Sequence, residues 1–283
     1  MPEGHTLRRL ADALTEAFAG QLTRVSSPQG RFAAEAALLD GTRFRGADSV
    51  GKHLFCEFDA DRIVHVHLGL IGHFDVRVVD AAAVPPPLGQ VRLRLATQGA
   101  SGAAYADLRG ATRCALVTPG ERDTVLARLG PDPLRPEAEP GPVWQRVSRS
   151  DRPIGDLLMD QSVVAGVGNV YRAEVLFRHR LHPWRPGRTL RRAQVEAIWA
   201  DLVALMGEGV RTGRIDTVRH EHTPEAMGRP PRRDDHGGEV YVYRRTGQPC
   251  LVCGHRVRTA TLAGRNAFWC PHCQRTFRSR AVR

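Results

Sequence analysis

Long apolar runs are missing from this sequence, and with them the case for a membrane-spanning helix. No stretch of 18 apolar residues occurs, whereas crossing a bilayer takes about 20. The opening MPEGHTLRRL has no apolar signal core, so a cytoplasmic, nucleoid-associated protein with no membrane partner is the expectation. Acid is also scarce. Asp and Glu total 30 against 41 for Lys and Arg, a formal net charge of +11. That balance favours a polyanionic partner, nucleic acid ahead of an anionic membrane surface. Cysteine is sparse outside the tail, where Cys56 and Cys114 stand alone in apolar, strand-like stretches and read as small core residues. No internal repeat is apparent.

What is present suggests an α+β chain of 283 residues, 42% hydrophobic, enough for two modest cores. Leu7, Leu10, Leu14 and Phe18 form one stripe of an amphipathic helix that Gly20 would end. From about Thr23 to Ala115, runs such as LFCEF, RIVHVHLG, FDVRVV and VRLRLAT alternate with period two between Gly and Pro punctuation. This pattern predicts an antiparallel β-sandwich, with Pro85, Pro86 and Pro87 in a loop. The proline-rich segment 131–142 supports neither regular element and reads as a linker. Beyond it, Ile154, Leu157 and Leu158 start one helical stripe, and Val170, Ala173, Leu176 and Phe177 form another across the turn VAGVGN. Val195, Ile198, Trp199, Leu202, Leu205 and Met206 make a third, which Gly207 and Gly209 would close. Residues 213–238 show no period and read as a mobile loop that orders on a ligand. The expected division is 1–130, linker 131–142, a helical domain 143–238 and a finger 239–283.

The finger is expected from Cys250, Cys253, Cys270 and Cys273, two CxxC pairs sixteen residues apart. Two such knuckles can give four thiolates to one tetrahedral zinc. A full thiolate set leaves no open position, so the metal is structural, not hydrolytic; a disulfide pairing is the alternative. His255 and His272 neighbour the knuckles as bystanders. Gly264 would turn a hairpin and put Arg265 at its tip, where a guanidinium can fork onto a phosphate.

At the other end, proline at position 2 permits removal of Met1, leaving a secondary amine. Such an amine can attack a sugar C1′ carbon, and Glu3 beside it can move the protons. Taken alone, MPE carries little weight. It stands with GKHLF at 51–55, HVHLGL at 65–70, LMDQSVVAGVGNVYRAEVLFR at 158–178 and GRNAFWCPHCQ in the finger. Together these resemble the formamidopyrimidine-DNA glycosylase and endonuclease VIII family, from end to end and in the family's order. MPEGHT resembles the endonuclease VIII branch, and the whole chain its actinobacterial members.

The resemblance implies a base-excision-repair glycosylase and AP lyase, a monomer acting on double-stranded DNA with damaged bases or abasic sites. It implies a helix-two-turn-helix motif in the helical domain. It makes Pro2 the Schiff-base nucleophile, Glu3 the acid/base, and Lys52, Asn169 and Arg265 phosphate ligands, with Lys52 and Arg265 also serving the chemistry. The iminium would lead to β,δ-elimination. The resemblance also implies void-filling residues, for which Leu70 and Arg109 are the candidates, although no aromatic residue stands near Arg109. Leu70 read bare is a core residue. Oxidised pyrimidines are the expected substrates. The alternatives are an oxidised-purine (formamidopyrimidine or 8-oxoguanine) glycosylase and a zinc-finger DNA-binding protein without catalysis.

Overall fold

A computed structural model describes residues 2–80, 84–99, 102–233 and 238–277. The chain divides into two compact units, 1–128 and 129–283. Each has its own buried core.

The first unit opens with α1 (Gly4–Phe18), followed by β1 (Leu22–Ser26), α2 (Ala33–Leu39) and β2 (Thr42–Val50). Six further strands come next: β3 (His53–Phe58), β4 (Arg62–His67), β5 (His73–Val79), β6 (Leu93–Gly99), β7 (Gly102–Arg109) and β8 (Arg113–Val117). The short helix α3 (Pro119–Leu126) ends the unit. All strand pairs are antiparallel, in the order β5-β7-β6-β1-β2-β3-β4-β8. The β1–β2 register is only two residue pairs long, so β1 is the hinge between two four-strand halves. Phe44, Leu54 and Val64 from one half share a core with Leu93, Leu95 and Leu108 from the other. The α1 stripe of Leu7, Leu10, Leu14 and Phe18 is buried in that same core. Cys56 and Cys114 lie there too, and burial pushes the Cys114 thiol up to about 12. Thiols held so far from ionisation pack as small hydrophobes.

The second unit contains α4 (Gly141–Ser148), α5 (Ile154–Leu157), α6 (Asn169–Arg178), α7 (Arg192–Thr212) and α8 (Pro224–Met227), then the hairpin β9 (Arg258–Leu262) and β10 (Arg265–Trp269). Every residue of α6 up to Phe177 is buried. The turn before it is pinned by Gln161, whose side-chain amide donates to the Met159 and Val167 carbonyls and accepts the Gly166 N–H. Glu174 is buried on α6 as a strut. Its carboxylate accepts the backbone N–H groups of Tyr241, Val242 and Tyr243 and the Thr217 hydroxyl. The incoming chain is thereby tied to the helix through a carboxylate whose bonds are charge-assisted.

The structure departs from sequence expectation in three places here. Helix α7 does not stop at Gly207 and Gly209 but runs to Thr212, where Gly213 caps it with φ 74. Burial of Val195, Ile198, Trp199, Leu202 and Met206 outweighs the roughly 1 kcal/mol that each interior glycine costs. The 213–238 segment, read as a mobile loop, is built where it is described. Its Arg229 pairs with Glu239 at 2.6 Å, and the Arg219 and Arg232 N–H groups donate to the Tyr241 hydroxyl and Glu239. These side-chain anchors reach 7 to 22 residues along the chain and follow no helix or strand period. The 131–142 segment is likewise anchored: Asp132 is buried, and the Pro131 carbonyl accepts the Ala165 N–H. Finger and helices share one core, which includes Cys250, Val257, Phe268 and Cys270.

Candidate active site and nucleic-acid interface

In the first unit, the start of α1 carries the candidate residues Pro2 and Glu3. Pro2 is half-buried, and Glu3, with 0% exposure, occupies the N-cap position of α1. A carboxylate at a helix N-terminus sits where the helix dipole favours negative charge. A cavity of about 400 Å³ adjoins Pro2, walled by Thr6, Arg9, His73, Phe74 and Asp75. One helical turn on, His5 is held down to about 4 by burial, by the positive N-terminus and by Arg9.

Lys52 stands in the two-residue turn between β2 and β3, where Val50 pairs with His53 and Gly51 takes φ 59. It is the only lysine in the chain; the other 40 basic residues are arginines. An ammonium is compact and can give up its proton, whereas arginine stays charged. His53, His65 and His67 cluster on the strands that follow Lys52. His53 Nδ1 meets His65 Nε2 at 2.9 Å, and the His53 and His67 rings are 5.2 Å apart. Burial, followed by the Lys52 charge, lowers His67. His67 Nδ1 lies 3.1 Å from both the Gly69 backbone nitrogen and the Thr112 hydroxyl oxygen, which hold the ring in place. His67 was passed over in the sequence because a His in an alternating strand reads as ordinary.

The β4–β5 connection is a tight turn closed by the Gly72 N–H on the Leu68 carbonyl. A Cβ at Gly72 would meet that carbonyl oxygen at 2.2 Å, so glycine is required. At the tip Leu70 is 65% exposed and Ile71 82%. Leu70 is therefore not a core residue. Ile71 is its unexpected companion, legible in hindsight as one of two adjacent apolar side chains bracketed by Gly69 and Gly72. Arg109 is committed inside the unit. It donates to Asp75 at 3.2 Å, to Asp107 at 2.9 Å and twice to the Leu88 carbonyl, which occupies four of its five N–H donors.

In the second unit, Asn169 follows the N-cap Gly168 as the first residue of α6; it is not itself the cap. Its amide donates to the Asn266 carbonyl at 3.1 Å, and its oxygen accepts from Arg172. Arg172, fully buried and not singled out from the sequence, also donates to the Asn266 and Gly155 carbonyls. The helix start and the finger hairpin are thus joined by one hydrogen-bond network. The hairpin turns through Ala263 and Gly264, both left-handed at φ 48 and 74, the two-residue geometry that matches strand twist. Arg265 follows at once, exposed, with no carboxylate partner among the described residues. Trp269 packs on Trp184 at 5.0 Å, so the hairpin base is held by aromatic contact as well.

The cysteine thiols fit a metal. Cys250 and Cys273 sulfurs lie 3.9 Å apart, Cys253 and Cys270 3.5 Å, and Cys253 and Cys273 3.4 Å. These approach the edge of about 3.8 Å expected for a tetrahedron with Zn–S near 2.3 Å. All four cysteines are free of disulfides. The four cysteines fit one structural zinc.

Three family models match this chain: the formamidopyrimidine-DNA glycosylase N-terminal domain over residues 1–114, its H2TH domain over 129–220, and the zinc finger found in FPG and IleRS over 247–276. The "Endonuclease 8 1" of Mycobacterium tuberculosis is 52% identical over 277 residues, covering 97% of this chain and 100% of that protein. The chain belongs to the formamidopyrimidine-DNA glycosylase and endonuclease 8 family. As a member it is a DNA glycosylase and AP lyase. The "Formamidopyrimidine-DNA glycosylase" of Geobacillus kaustophilus is 32% identical over 242 residues, 85% of this chain and 84% of that one. Lactococcus lactis Fpg, solved with DNA containing an abasic site, shares the fold at TM-score 0.75 and 21% identity, over 97% of this chain and 100% of that one. No helix among the described residues of this glycosylase is long and apolar enough to cross a membrane.

Proposed function

We propose that this glycosylase removes oxidised pyrimidines from double-stranded DNA through an iminium on Pro2. The observation that carries the reading is Pro2 beside a buried Glu3 at the head of α1, next to a cavity of about 400 Å³. Once Met1 is removed, the Pro2 secondary amine attacks C1′ of the extruded nucleotide, the base leaves, and Glu3 protonates the opening sugar. The iminium acidifies the 2′ hydrogen. Loss of that proton expels the 3′ phosphate, and a second elimination expels the 5′ phosphate, leaving a one-nucleotide gap. Lys52 serves as phosphate ligand and proton carrier, assisted by the imidazole of His67. Asn169 and Arg265 grip the backbone, and Arg265 supports the second elimination.

Reaching C1′ requires the nucleotide to leave the stack, at a cost of a few kcal/mol that damage lowers. Leu70 and Ile71 fill the gap as an apolar wedge, and Arg109 braces the β5–β7 edge behind the cavity. The pyrimidine preference rests on MPEGHT, with Thr6 on the cavity wall. A panel of duplexes holding thymine glycol, 5-hydroxyuracil, dihydrouracil and 8-oxoguanine tests it. Faster cleavage of the three pyrimidines, with phosphate at both ends of the gap, is expected. Preferred cleavage of 8-oxoguanine overturns the substrate, and unsaturated-aldehyde 3′ ends overturn the second elimination.

A further inference from the structure

Each zinc knuckle carries a histidine that the structural metal does not use. His255 lies two residues beyond Cys253, and His272 sits between Cys270 and Cys273. Both are exposed, and their rings stack at 4.4 Å with 12° between planes. One ring nitrogen of each and the Cys253 sulfur all lie within 4.8 Å of one another. His255 Nδ1 is 3.3 Å from the Cys253 carbonyl oxygen. A proton on Nδ1 donated to that carbonyl leaves the Nε2 lone pair for a ligand, the usual way in which an outer hydrogen bond fixes the tautomer of a metal-binding histidine.

We propose that Cys253, His255 and His272 form a second cation site, sharing the Cys253 sulfur with the structural zinc. A zinc ion held by four thiolates carries two net negative charges, which draw a second cation to it. A thiolate already bound to one metal keeps lone pairs for another. Two imidazoles and one sulfur select a borderline divalent ion such as Zn²⁺ or Co²⁺ over Mg²⁺ or Ca²⁺, which seek oxygen. Exposed imidazoles need only rotate to close onto the ion, and water completes a fourth position. The site joins the outer faces of the two knuckles that support the Arg265 hairpin. It is independent of the glycosylase reading, because it requires only the finger.

The test uses full-length protein holding one zinc, titrated with Co²⁺ and followed by native mass spectrometry and absorption. Two metals per chain are expected, the second with a near-ultraviolet thiolate-to-cobalt band. His255→Ala and His272→Ala should each weaken the second ion by about tenfold or more while the first zinc stays bound. Both side chains are exposed, so retained zinc stoichiometry and an unchanged melting curve check that the variants are folded. A total that stays at one metal in excess Co²⁺ overturns the site. So does a second cobalt that lacks the thiolate band or binds both alanine variants as tightly as the parent.

Discussion

The two units hold their candidate functional groups by opposite means. In the sheet unit, Lys52, Leu70 and Ile71 stand in short turns anchored by a continuous apolar core, and Pro2 and the buried Glu3 sit at the head of a core helix. In the helical unit, Asn169 and Arg265 are fixed by a buried polar network and a metal site. Hydrophobic burial tolerates local change and loses stability in increments. A metal-braced hairpin is closer to all or none, because ligation supplies the folding free energy of the finger.

That contrast should be plainest on removing a zinc ligand. Cys270→Ser deletes a buried ligand, and zinc ligation is worth on the order of 10 kcal/mol in finger peptides. Zinc analysis should find no bound metal, and DNA affinity should collapse across all lesions. The sheet unit should keep its β circular dichroism. Loss of β structure on the same substitution would mean that the two units are not separately supported.

Next in size is Lys52→Arg, which keeps the charge and removes the only side-chain amine. Strand cleavage should fall by about 10²–10³-fold, the scale of lost general acid–base catalysis, while binding to uncleavable abasic DNA changes little. Equal losses in both assays would reduce Lys52 to a phosphate ligand. Truncating Leu70 and Ile71 together to alanine should slow excision from paired lesions by roughly 10-fold or more, reflecting a wedge worth 1–3 kcal/mol. Cleavage at a preformed abasic site should be nearly spared. A uniform drop for both substrates would instead indicate that the turn was distorted.

The smallest effect concerns acid. Burial holds His5 near 4 and His65 near 3, below the 6.5 of an unconstrained histidine. Between these values the unfolded chain binds more protons, so stability is full above about pH 6.5 and is lost as pH falls toward 4. Each buried histidine should cost about 1–2 kcal/mol by pH 5. Thermal melts from pH 7.5 to 5 should show the loss, and His65→Phe should flatten it. An unchanged slope in that variant would mean that His65 already titrates freely.

How much of this was legible in the sequence followed the range of the interactions. The α1 stripe, the strands and the cysteine spacing are local patterns, and they appear as read. The anchoring of Thr217 by Glu174 and of Arg219 by Tyr241, and the role of Arg172, depend on partners tens of residues away, and the true end of α7 depends on side-chain burial. Arg109 looked like a DNA ligand because sequence does not show that Asp75, Asp107 and Leu88 already hold it. Leu70 read bare suggested core, since alternation cannot tell a strand from the tip of the turn that follows it.

Only two amines exist in the mature chain proposed here, the Pro2 nitrogen and Lys52, so borohydride trapping on abasic DNA gives an unambiguous answer. Peptide mapping of the reduced adduct should find the DNA on Pro2. The adduct should survive Lys52→Arg and disappear when the N-terminus is blocked. An adduct on Lys52, or one that forms despite the block, would contradict nucleophilic attack by the N-terminal proline.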